Sequence, residues 1–230
     1  VENLFDTINQ VNYDEEYLPQ NGYTSKKYKQ KLNNLGRVIA QIGTNDQQKE
    51  SPTILGVCEV ENKGVLEDLV KNYQIAGKDY GVVHFDSPDK RGIDVGFLYQ
   101  KKFFKPTSYI NVPLYVYQNK VDISKKEEKE GEEADKANVN FDAVSKRIYT
   151  HNQRLVTGLL DGEEVHFIVN HWPSRSGGEK RSSPYREAAG RLNRKIMDSL
   201  FKINPNAKII TMGDLNDGTF NKSINTVLKK

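Results

Sequence analysis

"AKIITMGDLND", residues 207–217, is an apolar run that breaks at once into two carboxylates and an amide. Such a run, rich in β-branched residues and bounded by turn formers, reads as a strand covered on both faces. It leaves Asp214, Asn216 and Asp217 at the strand's end. Two other apolar stretches end the same way. "TILGVCEVE" (53–61) closes on Glu59 and Glu61, and "EEVHFIVNHW" (163–172) closes on Asn170 and His171. Polar groups gathered at the ends of neighbouring strands form a rigidly held cluster on one rim of a sheet, a common place for a site in layered folds.

Around these three strands the period changes repeatedly. "SKKYKQKLNNLGRVIAQIG" (25–43) places Leu32, Leu35, Val38, Ile39 and Ile42 at helical spacing, and "GVLEDLVKNY" (64–73) reads as a short helix. "YGVVHFDS" (80–87), "DVGFLYQ" (94–100) and "FFKPTSYINV" (103–112) read as a meander of strands with "PDKRG" (88–92) as its first turn. Strands at 154–162 and 163–172 meet at Asp161-Gly162, a hairpin signal because type I′ turns need positive φ. A long helix from Pro184 to Lys202 carries Ala188, Leu192, Ile196 and Leu200 as its apolar stripe. Residues 118–147 have mixed charge and few apolar anchors, which predicts a solvated, mobile insertion. Alternating α and β elements with antiparallel hairpins predict an α/β fold: a four-layer α/β/β/α sandwich of two packed, mostly antiparallel sheets with outer helices, in a single domain over 1–230.

Composition narrows the class without choosing a partner. With 36% hydrophobic and 10% aromatic residues among 230, the chain has the means to bury a core. A net charge of +3 is too small to mark a nucleic-acid binder by itself, though it does not repel a phosphate-bearing substrate. The single cysteine, Cys58, excludes an intramolecular disulfide and a thiolate metal site, and its apolar surroundings predict core packing. No stretch approaches the roughly 18 apolar residues of a membrane span, and no signal-type segment is present. The chain begins at Val1, so a processed or clipped start is expected. Localisation is left open, with secretion or a periplasmic location allowed for a soluble protein that has lost an upstream signal.

The donor types at the rim suit a particular chemistry. Carboxylates and amides without thiolates favour a hard, oxygen-seeking cation, Mg²⁺ or alternatively Mn²⁺, over zinc. A cation neutralising a phosphoryl group, a carboxylate orienting water and an imidazole donating a proton add up to hydrolysis at phosphorus. Each residue also has a plainer role: Asp214 as a turn former, Glu59 as a strand-end charge, His171 as a prop for a turn. Their joint placement is the stronger signal. His84, His151 and His166 lack such context and are assigned structural or surface roles.

Six stretches together resemble the endonuclease/exonuclease/phosphatase superfamily of metal-dependent phosphoester hydrolases: "VENLFD" (1–6), "ILGVCEVEN" (54–62), "RGIDVGFLY" (91–99), "VNHWPSRSGG" (169–178), "YREAAGRL" (185–192) and "TMGDLND" (211–217). The resemblance implies that Glu59 is the principal metal ligand. It makes Asp214 the residue that orients or activates the attacking water, and Asn216 a hydrogen-bond donor to the phosphate. His171 would bind phosphate or protonate the leaving oxygen. Asn170, Arg91, Arg154 and Arg175 are expected as substrate contacts, the arginines because a guanidinium matches phosphate oxygens bidentately. The family's first Asn and its terminal Asp-His strand have no counterpart here. The sequence is therefore expected to be part of a longer enzyme, lacking terminal strand or strands.

The expected activity is a Mg²⁺-dependent phosphodiesterase of nuclease type, with nucleic acid as the leading partner and a monomer favoured. Two alternatives stay open: an inositol-phosphate or phospholipid (sphingomyelinase-like) esterase, and a non-catalytic binding module of the same fold.

Overall fold

The computed structural model describes residues 1–8, 15–89, 91–118, 146–148 and 150–229. Helix α1 (Ser25–Gln41) starts at Thr24, whose side chain accepts from the Lys27 N–H and so satisfies one of the free donors of the first turn. Strand β1 (Ile54–Val60) and helix α2 (Lys63–Val70) follow, with Asn62 capping α2 through the Val65 N–H. Strands β2 (Tyr80–His84) and β3 (Asp94–Gln100) pair antiparallel, and β3 also pairs with β1, giving a sheet ordered β1-β3-β2.

The expected meander does not continue into β4 (Phe104–Val112). The chain turns at Gln100–Phe103 and crosses to a second sheet. There β4 is an edge strand, which suits a strand carrying Pro106 next to an irregularity in its pairing, because proline has no N–H to give a ladder. Short β5 (Val116–Gln118) and β6 (Lys146–Ile148) pair with each other, so the two ends of the predicted insertion are strand; the rest of that segment lies outside the described residues. Strands β7 (Gln153–Leu160), β8 (Glu163–His171) and β9 (Lys208–Asp214) complete the second sheet, ordered β4-β7-β8-β9.

The β7–β8 turn is the two-residue type its sequence predicts, with Asp161 at φ +49° and Gly162 at φ +86°. Gly162→Ala places a Cβ in the left-handed region and is expected to cost about 1 kcal/mol. Chemical denaturation would read this as a lowered midpoint at constant slope.

Two apolar layers and a third, smaller one hold the sandwich. Val57, Val60 and Leu98 turn outward to meet Tyr28, Leu32, Ile39, Leu66 and Leu69 of α1 and α2. Val95 and Phe97 turn inward to meet Phe104, Val156, Phe167 and Val169, with the rings of Phe97, Phe104 and Phe167 centred 5.4–5.7 Å apart. Cys58 lies in this inner layer. Its thiol donates to Asn170 O and burial raises its pKa to about 11, in keeping with a packing role. On the far side, Trp172, Ala189 and Leu228 form the layer under α3 (Glu179–Ile203). The result is the four-layer α/β/β/α sandwich.

Helix α3 departs from expectation twice. It begins at Glu179, before Pro184, with Gly178 at φ +101° ahead of it and Arg186 tying down the first turns through Ser182 Oγ (2.9 Å) and Glu179 Oε1 (3.1 Å). Its buried face is also only in part the predicted apolar stripe. Ser182, Arg186, Ala189, Gly190, Asn193 and Ile196 face inward, while Ala188 and Leu192 are half-buried. A search for apolar period alone passes over a helix face that buries polar groups. No described helix is long and apolar enough to cross a membrane.

Candidate functional site

The rim is built first at the end of β1. Residues 1–6 lie beside it, with Leu4 in a parallel bridge to Val60. Leu4 N–H donates to Glu59 O (2.8 Å) and Glu61 N–H donates to Leu4 O (3.0 Å). The β1–β3 register shifts between Cys58 and Val60, and Glu59 takes φ +62°, a left-handed conformation unfavourable for a residue with a Cβ. The bulge separates the two glutamates by role. Glu59 stays 26% exposed at the rim, with Oε2 accepting from Asn3 N–H at 3.1 Å. Glu61 is buried and accepts from Asp6 N–H at 2.8 Å, holding the first segment.

The second and third strand ends arrive together. β8 and β9 are parallel, with His171 opposite Asp214 and Asn170 opposite Gly213. A Cβ on Gly213, at φ +125°, would lie 2.0 Å from Asn170 O, so only glycine lets the strands approach this closely. His171 Nε2 stands 4.0 Å from Glu59 Oε1. Burial pulls the His171 pKa down, against the opposing influence of Asp214 and Glu59. The loop beyond Asp214 is tied back to the β8 end: Asn216 N–H donates to Asp214 Oδ1 (2.9 Å), Asn216 Nδ2 to Trp172 O (2.8 Å) and Trp172 N–H to Asp214 O (2.8 Å). Glu59, His171, Asp214 and Asn216 thus share one rim.

The four expected substrate contacts divide. Arg91 and Arg175 have half-exposed side chains, Arg91 on Asp89 (3.3 Å) and Arg175 on Asn216 O (2.9 Å) and Glu179 (3.2 Å). Asn170 and Arg154 are buried. Asn170 Nδ2 shares its two hydrogens among Ile168 O, Thr211 Oγ1 and Met212 O, and Oδ1 accepts from Trp172 Nε1 and Asn193 Nδ2, which uses its hydrogen-bonding capacity inside the protein. Arg154 donates to Val95 O and lies 3.9 Å from Asp94, and burial lowers its pKa to about 10. Asp217 is also internal. It contacts Arg186 Nε at 2.6 Å and accepts from Ser223 Oγ at 2.5 Å.

Of the structural or surface roles expected for His84, His151 and His166, the surface alternative falls away, since all three side chains are no more than 8% exposed. His166 pairs with Thr157 Oγ1 (2.8 Å), and His84 lies 3.3 Å from Asp94. His151 belongs to the rim: its ring stacks on that of His171, centroids 4.1 Å apart and planes 21° apart, with Nε2 3.5 Å from Asp89 Oδ2. The signal was in the hairpin. With Arg154 opposite Val169, the register carries the residues before β7 alongside the end of β8.

Two hollows flank the cluster. One, of about 810 Å³, runs from Glu59, Gly213 and Asp214 along Leu35, Val38, Ile42 and Leu55. The other, of about 330 Å³, is walled by Asp89, Arg91, His151, Ser174, Ser182 and Tyr185. As a cation site, the Glu59 corner offers carboxylate oxygen beside Asp214 and no directed thiolate, a donor set that fits a hard divalent ion. His84, Asp86 and Asp94 also bring three donor atoms within 4.8 Å, but the Arg154 guanidinium beside Asp94 supplies a permanent cation there.

Comparisons with known proteins agree with this architecture. The model of the Endonuclease/Exonuclease/phosphatase family matches residues 1–141 and 121–230. A search of curated proteins found no match. Among solved structures, an endonuclease/exonuclease/phosphatase family protein from Bacteroides thetaiotaomicron is 15% identical, with a TM-score of 0.57, over 97% of this chain and 65% of that one. Sphingomyelinase C from Streptomyces griseocarneus is 14% identical, with a TM-score of 0.54, over 86% and 62%. TDP2 from C. elegans is 14% identical, with a TM-score of 0.51, over 86% and 45%. The chain therefore spans about half to two thirds of the length of these solved relatives. At such identities they speak for the fold, and the sequence match speaks for the family: this chain belongs to the endonuclease/exonuclease/phosphatase family.

Proposed function

We propose that this chain carries the site of a Mg²⁺-dependent phosphodiesterase of nuclease type. The observation that supports the reading most is the meeting of Glu59, His171, Asp214 and Asn216, from three strand ends, beside an open groove. Glu59 would hold the divalent cation, with Mn²⁺ as a substitute. Bound there, the cation supplies charge neutralisation at phosphorus. Asp214 orients the attacking water and accepts its proton. Asn216 commits one amide hydrogen to Trp172 O and keeps the other for a phosphate oxygen. His171, neutral at rest because burial lowers its pKa, donates a ring N–H hydrogen bond to the phosphate; to protonate the leaving oxygen it must first take up a proton from solvent. Arg91 and Arg175 stand at the margin as phosphate contacts. Arg154 and Asn170 act from behind, as supports for the strand ends.

The apolar groove favours a second reading, a lipid phosphodiester. Against it, one wall is the edge of β1, which among the described strands pairs only with β3 and on its other side meets residues 1–4 near its end alone, at the Leu4–Val60 bridge and the Val1 contact with Cys58 O. An acyl chain offers no hydrogen bonds to such an edge. The test is hydrolysis of duplex DNA, bis(p-nitrophenyl) phosphate and sphingomyelin vesicles with Mg²⁺, with Mn²⁺ and after EDTA. Cation-dependent DNA cleavage that EDTA lowers at least about 100-fold is expected, because several kcal/mol of charge stabilisation leave with the ion. Turnover of sphingomyelin alone would transfer the assignment to lipid. No turnover and no calorimetric cation binding would make the chain a binding module.

A further inference from the structure

We infer that Asp89 and His151 are a positioning pair that fixes the ring of His171. The inference rests on the reading of His171 as the imidazole that meets the phosphate, and it adds a reason why that ring points where it does.

The β8–β9 pairing holds the His171 backbone but leaves two side-chain torsions undetermined. Glu59 does not settle them, because 4.0 Å is beyond hydrogen-bond range. Nor does Nδ1, which is buried and has no hydrogen-bond partner among the described residues. The remaining strong contact is the face of His151, nearly parallel at 4.1 Å. That face is itself aimed. His151 Nε2 lies 3.5 Å from Asp89 Oδ2, an electrostatic contact without hydrogen-bond geometry, while Asp89 Oδ1 accepts from Arg91 N–H (2.9 Å) and Nε (3.3 Å). Asp89, His151 and His171 have side chains only 9%, 3% and 4% exposed, so solvent does little to loosen the chain of contacts.

Chemistry also suits His151 to this place. Burial first, then the nearby His171, Arg91 and Arg154, push its pKa down to about 2, so it stays neutral. A neutral ring does not compete with His171 for a proton. A second imidazole thus steadies the first without sharing its titration.

The test compares His151→Ala, His151→Phe and Asp89→Asn in the intact protein, reading kcat and KM on bis(p-nitrophenyl) phosphate with Mg²⁺. In parallel, ¹H–¹⁵N spectra of the imidazoles, with His171 assigned through His171→Gln, report its tautomer. Loss of orientation costs about 10- to 100-fold in rate. His151→Ala is therefore expected to lower kcat by that factor, with KM within about 2-fold, and to average the two His171 nitrogens. His151→Phe, which restores a flat face, should recover most of kcat and the single tautomer. Asp89→Asn should fall between. Unchanged kcat and His171 signals in His151→Ala would overturn the proposal. So would a folded His151→Phe as impaired as His151→Ala. If the wild type turns over no ester, the phosphodiesterase reading fails, and the imidazole spectra still decide whether His151 orders the His171 ring.

Discussion

Glu59→Gln is expected to lower the phosphodiesterase rate by roughly 10³-fold, about 4 kcal/mol of transition-state stabilisation, while leaving the melting temperature nearly unchanged. The substitution keeps the size and shape of the side chain and an acceptor for Asn3 N–H. What it removes is the one negative charge that the β1 bulge turns to the rim. A hard cation held by few carboxylates loses a large share of its binding with each one. Calorimetry should accordingly show Mg²⁺ affinity down by at least about 10-fold. The positive φ of Glu59 sharpens the expectation, since a left-handed conformation at a residue with a Cβ costs about 1–2 kcal/mol and persists where the surroundings enforce it. Wild-type turnover in a folded Glu59→Gln protein would remove the rim from consideration as the reaction centre.

The second large effect concerns stability. Asp217→Ala is expected to destabilise the fold by about 3–5 kcal/mol, the cost of leaving one partner of a buried ion pair alone. Asp217 and Arg186 have side chains 1% and 0% exposed and stand 2.6 Å apart. Without the carboxylate, the guanidinium keeps Glu179 (3.1 Å), Ser182 Oγ and Ser174 O, of which only Glu179 carries charge. Ser223 and Arg175 lose an acceptor as well, so the loop that carries Asn216 comes free of α3. Thermal denaturation should show a fall of roughly 10 °C in a chain of this size. The double variant Arg186→Met/Asp217→Leu should recover much of that, because apolar residues of similar volume replace a buried pair at little cost. A loss under about 1 kcal/mol in Asp217→Ala would mean that the pair does not anchor the loop.

Several elements were legible in the chain alone, for local reasons. Asp161-Gly162 encodes its turn because positive φ is a property of those residues, and the apolar runs at β1, β8 and β9 announce strands because covering both faces demands them. Glu59, His171, Asp214 and Asn216 were visible as polar interruptions at the ends of such runs. The helical period found α1 and α2 to within a few residues at most boundaries. The same period found only part of the buried face of α3: Ile196 is buried as expected, but so are Arg186 and Asn193, which a count of apolar side chains passes over.

Whether a polar residue at a strand end faces outward or inward depends on partners far away in sequence. Asn170 and Asp217 read like site residues yet turn inside, because Asn193 and Arg186 of α3 wait there to satisfy them. Arg154 is taken up by Asp94 and Val95 O on the facing sheet, and β4 leaves the expected meander for that second sheet. His151, with no context in its own stretch, gains one only when β7 runs beside β8 and the loop of Asp89 folds over it. The sequence by itself determined most of the elements, the family and four residues of the rim, because period, turn chemistry and strand-end polarity act over a few residues. Only the tertiary structure decided which polar groups are buried supports and which are presented, because hydrogen-bond and charge satisfaction is settled between segments that the chain keeps apart.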